Sequence, residues 1–161
     1  MGTAYNLYEY TPGGVQSNVA SGFNRADGLA FDSAGNLFVS DNGSGSIYEF
    51  TPSGARSTFA SGLGGPAGLA LAFNGAGNLF DADYSSGNVY EFTTNGTRST
   101  FASGLGVGNP SRLAFNSAGN LFLTDGNSGN IYEFTPNGGS STFASGLDDP
   151  TGPTRRLLRD G

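Results

Sequence analysis

The chain contains no cysteine, no histidine, no tryptophan and no lysine, and each absence removes a class of chemistry. Without cysteine there is no disulfide and no thiolate nucleophile or ligand. Without histidine the commonest general base and the commonest zinc ligand are missing together. Charge is scarce and one-sided. The 161 residues carry a net charge of −6, and three of the seven arginines, Arg155, Arg156 and Arg159, lie in the last seven residues. The body is therefore more acidic than the total suggests. Such a surface repels phosphate backbones, so no nucleic acid is expected as a partner. No run of about 18 apolar residues exists to make a membrane span, and no basic start with an apolar stretch marks a signal peptide.

What is present is glycine, 28 residues of it, spread among phenylalanine- and tyrosine-containing apolar segments. The segments repeat. Tyr8, Tyr48, Tyr90 and Tyr132 each open a "YE-aromatic" triplet, at spacings of 40, 42 and 42 residues. "STFASGL" begins at Ser57, Ser99 and Ser141, with a degenerate copy at Ser17. "LAF" followed by a Gly-Asn occurs from Leu29 and Leu113, and as "LALAF" from Leu69; the longer form accounts for the two-residue excess, read here as Leu71-Ala72. Within one unit the apolar residues alternate as in strands covered on both faces. "DSAGN", "NSAGN", "TPSG" and "TPNG" supply the turns. The unit is a four-stranded antiparallel meander of about 40 residues, the size of a propeller blade.

The fold class is therefore all-β, with β-propeller blades and about 3.5 blades per chain. One repeat-type domain spans 1–149, comprising a half blade (6–23) and blades at about 26–62, 66–104 and 108–146. An atypical Arg-rich tail follows at 150–161. Three and a half blades fall short of the four to eight that close a ring, and an open arc exposes blade faces and strand edges. Either the ring is completed by oligomerisation or the sequence is cut from a longer protein; self-association, as a homo-oligomer or larger array, is expected in both cases.

Four carboxylates are candidate cation ligands. Asp41, Asp83 and Asp125 recur at the end of the second strand of each blade, where the first reading is capping of the following turn and the alternative is a ring of carboxylates for calcium. Asp81 breaks the repeat, since Val39 and Leu123 hold its place in the other blades. It is read either as a polar residue tolerated at a blade mouth or, with Asp83 and the oxygens of Tyr84, Ser85, Ser86 and Asn88, as one wall of a cation or sugar-hydroxyl site. Glu9, Glu49, Glu91 and Glu133 are read as solvated edge charges with Arg56 and Arg98 nearby. "GLGVGNP" (104–110) is read as an inter-blade loop and not a nucleotide fingerprint.

"PAGLALAFNGAGNLFDADYSSGNVYEFTTNG" resembles an NHL repeat, and the likeness runs over residues 6–149. It points to the propeller superfamily that includes NHL-repeat, gluconolactonase-like and streptogramin-lyase-like proteins, as a bacterial member. The RNA-binding kind of NHL blade carries basic residues on one face, which these blades lack. A gluconolactonase-like hydrolase would imply a Glu, Asn and Asp metal site, and no full set of that kind is matched here. The lyases use a histidine, which is absent. The expectation is a non-enzymatic scaffold or binding module, secreted or at the cell surface, with protein or carbohydrate as partner besides itself.

Overall fold

The computed structural model describes residues 5–64, 66–104, 110–148 and 150, and for 66–70 the backbone alone. The "GLGVGNP" loop at 105–109 and the Arg-rich tail from 151 lie outside the described residues. Among the described residues fourteen strands follow one another in antiparallel pairs. A two-stranded unit comes first, β1 (Tyr5–Tyr10) with β2 (Gln16–Phe23). Blade 1 is β3 (Ala26–Phe31), β4 (Leu37–Asp41), β5 (Ser46–Phe50) and β6 (Arg56–Ala60). Blade 2 is β7 (Pro66–Phe73), β8 (Leu79–Asp83), β9 (Asn88–Phe92) and β10 (Arg98–Ala102). Blade 3 is β11 (Pro110–Phe115), β12 (Leu121–Asp125), β13 (Asn130–Phe134) and β14 (Ser140–Ala144). Each blade is a sheet whose strands are hydrogen-bonded in chain order, the meander that the turn spacing implies.

The turns are built locally. Asp32 Oδ1 accepts from the backbone N–H of Ala34 at 2.9 Å and of Asn36 at 2.8 Å, closing the β3–β4 hairpin, and Asn74 and Asn116 do the same in the next two blades. This is the Asx turn, in which a short polar side chain stands in for a backbone acceptor. The turn between the second and third strands serves a different purpose. Gly45 has φ +62°, and its carbonyl accepts from Leu63 N–H at 3.0 Å; Gly129 and Leu147 repeat this at 2.9 Å. The glycine lets the inter-blade linker lie against the turn, because a Cβ at Gly45 would stand 2.4 Å from Leu63 O.

Packing follows the period of two. In the second strand of each blade, one set of side chains faces the preceding blade and the alternate set faces the next. Phe38 of blade 1 packs with Leu71, Leu79 and Phe92 of blade 2; Phe80 of blade 2 packs with Leu121, Leu123 and Phe134 of blade 3. Leu7 and Phe23 pack on Val39 and Phe50 in the same way. The cores are the seams between blades, and their centre is aromatic. The Phe38 ring meets Phe59 at 4.9 Å and Phe73 at 5.0 Å, edge to face; Phe80 meets Phe101 and Phe115, both at 5.0 Å. Edge-to-face pairs of this kind contribute about 0.5–1.5 kcal/mol beyond their buried area.

The two-residue excess lies upstream of Leu71-Ala72. Leu71, Ala72 and Phe73 pair with Asp81, Phe80 and Leu79, in the register by which Leu29, Ala30 and Phe31 pair with Val39, Phe38 and Leu37. The extra length is taken up between Pro66 and Leu71 as a bulge, where five steps along β7 answer two along β8. The sequence left two equivalent places for the insertion, and the strand register decides between them.

The carboxylate positions of the second strands

Asp41, Asp83 and Asp125 are buried at the ends of β4, β8 and β12. Asp41 accepts from the N–H of Asn24 at 3.1 Å and of Arg25, both in the linker before its own blade. Asp83 Oδ2 accepts from Gly64 N–H at 2.9 Å, in the equivalent linker, while Oδ1 accepts from Ser86 N–H at 2.8 Å and Ser86 Oγ at 3.0 Å. Asp125 accepts from Asn127 N–H at 3.2 Å and Ser128 Oγ at 2.8 Å. The carboxylate caps the next turn at Asp83 and Asp125, and Asp83 fastens the inter-blade linker as well; the bonds of Asp41 run to the linker and not to the turn that its sequence position suggests. Buried acceptors satisfied by N–H groups in this way stabilise the fold without any bound cation.

Asp81 is in a different situation. It is 0% exposed, and neither carboxylate oxygen has a hydrogen-bond partner. It pairs across β8 with Leu71 on one side and Tyr90 on the other, on the face it shares with Leu79, which is part of the seam toward blade 1. Val39 and Leu123, at the same repeat position, are fully buried members of their own seams. The position is therefore a core position and not a blade mouth. Burial, and secondarily the charge of Asp83, holds the Asp81 carboxyl well above the usual carboxylate range. The acid is accordingly favoured in its neutral form.

The structure brings Asp81 and Asp83 to one face of β8 and leaves Asp41 and Asp125 each in its own blade. Among the described residues no group of three or more His, Cys, Asp or Glu side chains converges as a metal would require. The oxygens expected to join Asp81 are directed elsewhere. Ser86 bonds Asp83, Ser85 Oγ donates to Gly64 O, Asn88 Nδ2 lies 3.3 Å from Tyr90 Oη, and Tyr84 is exposed.

Among the described residues the blade glutamates and arginines do not pair with one another. Glu91 and Glu133 accept from Asn78 and Asn120, each at 2.7 Å. Arg56 instead lies over the Tyr48 ring at 3.7 Å and near Phe23 at 4.9 Å, and Arg98 over Tyr90 at 5.0 Å. The sequence did carry the signal, an Arg eight residues after each of Tyr48 and Tyr90, but not the geometry that turns the guanidinium onto a ring.

No protein-family model matches the chain, and no curated protein is similar to it in sequence. Solved structures are similar in shape. Virginiamycin B lyase from Staphylococcus aureus superposes with a TM-score of 0.73 at 16% identity, over 91% of this chain and 49% of that one. A putative gluconolactonase gives 0.74 at 17%, over 89% and 58%. A nidogen/laminin complex gives 0.76 at 21%, over 86% and 56%. The chain spans about half the length of the structures it matches. Its three meanders and leading strand pair have the β-propeller fold that lyase, gluconolactonase and nidogen structures share.

Proposed function

We propose that the chain is a non-enzymatic, self-associating β-propeller scaffold or binding module that works outside the cell or at its surface. One observation carries the reading. Blade 3 presents, with nothing seated on it among the described residues, the trailing half of the joint that the chain uses twice internally. Phe122 and Phe143 meet edge to face at 5.1 Å, as Phe38 meets Phe59 and Phe80 meets Phe101. In the inner seams the first of these rings receives Phe73 or Phe115, whereas Phe143 is 61% exposed and Leu147, four residues on, is exposed as well. At the other end Tyr8 and Tyr10 are exposed, at the repeat positions of Tyr90 and Phe92; Phe92 is the residue that Phe59 meets across an inner seam. Trailing face on leading face is a head-to-tail contact, which closes a ring or extends an array. An uncovered aromatic face of this kind is a place for another chain.

Further support comes from the near-identity of the blades, which leaves no blade diverged around a reactive cluster, and from the nidogen neighbour, a propeller solved in complex with laminin. The test is the absolute mass in solution. Association through the aromatic face predicts a discrete multimer that Phe122→Asp reduces in mass.

A second reading, a cation-dependent hydrolase like the gluconolactonases or a calcium- or carbohydrate-binding propeller, is favoured by the unpartnered carboxylate of Asp81. Its weakness is access, because a fully buried side chain meets no substrate. Calorimetric titration with calcium, on the wild type and on Asp81→Asn, separates the readings: heat that disappears in the variant would support this one.

A further inference from the structure

Among the described residues the trailing face of blade 3 is not the only incomplete joint. In each whole blade the third strand is paired on both sides, β5 between β4 and β6, for example. Its counterpart in the leading unit, β1, pairs only with β2 among the described residues. One edge of β1 therefore offers free N–H and C=O groups. Beside that edge lies a groove of about 340 Å³, whose apolar walls include Leu7, Val19, Leu29, Phe31, Leu37 and Phe50.

The chain itself shows what such a groove holds. In the seam between blades 1 and 2 the same place is filled by Phe38 of the second strand, which meets Phe73 edge to face, with Phe59 of the fourth strand beside it. Between blades 2 and 3 it is filled by Phe80 on Phe115, with Phe101. Phe31 holds the repeat position of Phe73 and Phe115, yet it is 67% exposed. Leu29 is 55% exposed where Leu71 is 7%. The leading unit has Val19 in place of the fourth-strand phenylalanine, and among the described residues no strand supplies the other ring.

We infer that the β1 edge and this groove form a strand-acceptor site, whose occupant is the second strand of one further blade of this same repeat type. The inference rests on the reading of the chain as an unclosed arc. The required chemistry is specific. A strand of the pattern apolar-Phe-apolar-small-Asp, as in Leu37–Asp41 and Leu121–Asp125, would pair its first residue with Tyr10, its phenylalanine with Glu9 and its third residue with Tyr8, by the register in which Leu37, Phe38 and Val39 pair with Phe50, Glu49 and Tyr48. Its phenylalanine would then stand over Phe31, and the main chain would complete the β1 edge, as in strand addition generally.

The probe is a fluorescein-labelled peptide of residues 119–126, Gly-Asn-Leu-Phe-Leu-Thr-Asp-Gly, titrated with the whole chain and followed by anisotropy. Saturable binding is expected, weakened about tenfold or more when the peptide carries Phe122→Ala. The protein variant Phe31→Asp, at an exposed side chain that leaves the seams intact, is expected to abolish binding while its circular dichroism stays that of the wild type. No saturation at millimolar protein, or binding indifferent to both changes, would overturn the proposal. The mass in solution keeps it distinct from self-association. A monomer that binds the peptide would retain the groove and remove the head-to-tail contact, and a multimer blind to the peptide would do the reverse.

Discussion

Asp81 and Asp83 are two residues apart on one face of β8, both buried, yet Asp83 accepts three hydrogen bonds and Asp81 none. The difference lies in where the strand ends. Asp83 stands at the last position of β8, beside the N–H groups of the turn and the linker. Asp81 stands one pleat further in, where β-sheet pairing has already used the backbone donors. The consequences for stability are direct.

Replacing Asp81 with valine, the residue that blade 1 has at Val39, should stabilise the protein. An unsatisfied buried polar group costs about 1–3 kcal/mol, and the variant removes that cost while adding apolar burial. Urea unfolding should show a higher midpoint with an unchanged slope. Asp81→Asn, which keeps an unpartnered polar group, should give no comparable gain.

The same residue sets a pH dependence. Its folded pKa is raised above the unfolded value, so the native state holds the proton more tightly than the unfolded chain. This group's contribution is therefore most favourable below the ordinary carboxylate value near 4, and it is lost as pH rises from there through the raised folded value. The stability difference between Asp81→Val and the wild type should widen upward across that window, by at most about 1.4 kcal/mol per pH unit, and then level off. A difference that narrows with rising pH would contradict the assignment.

Asp83→Ala should destabilise by about 1–3 kcal/mol, since it removes the buried acceptor that the linker N–H of Gly64 and the turn donors of Ser86 share. The readout is thermal or urea unfolding, and hydrogen exchange should quicken first at Gly64 and Ser86.

Two glycines with similar backbone angles should answer differently to alanine. Gly45 (φ +62°) would place a Cβ 2.4 Å from Leu63 O, whereas Gly54 (φ +85°) has nothing within 4 Å of that position. Gly54→Ala should cost only the left-handed penalty of about 1–2 kcal/mol. Gly45→Ala must also move the linker, and should cost clearly more in the same unfolding assay.

Much of this architecture was legible in the sequence because the blades are near-copies, so that turn chemistry and alternation were each stated several times. The turn-capping role of Asp83 and Asp125 was legible for the same reason, as an Asp followed by a Gly/Ser-rich turn is a local signal, whereas the hold of Asp41 on the linker at Asn24 and Arg25 was not. Asp81 was visible as a break in the repeat, but its meaning was not. Whether position 81 is core or mouth depends on how blade 2 packs on blade 1, and a single strand does not encode that. The insertion was similarly degenerate, because "LALAF" reads equally well with either Leu-Ala pair as the extra one. The stacking of Arg56 on Tyr48 and Phe23 spans two sheets. It is a tertiary fact that neither segment signals alone.

The central claim, an arc that associates through the aromatic face of blade 3, is tested most directly by absolute mass from light scattering at micromolar concentration, for the wild type and for Phe122→Asp. The account predicts a discrete multimer of the wild type that persists with chelator present, and a smaller species for the variant. A wild type of single-chain mass, 16.4 kDa, at every concentration would contradict it.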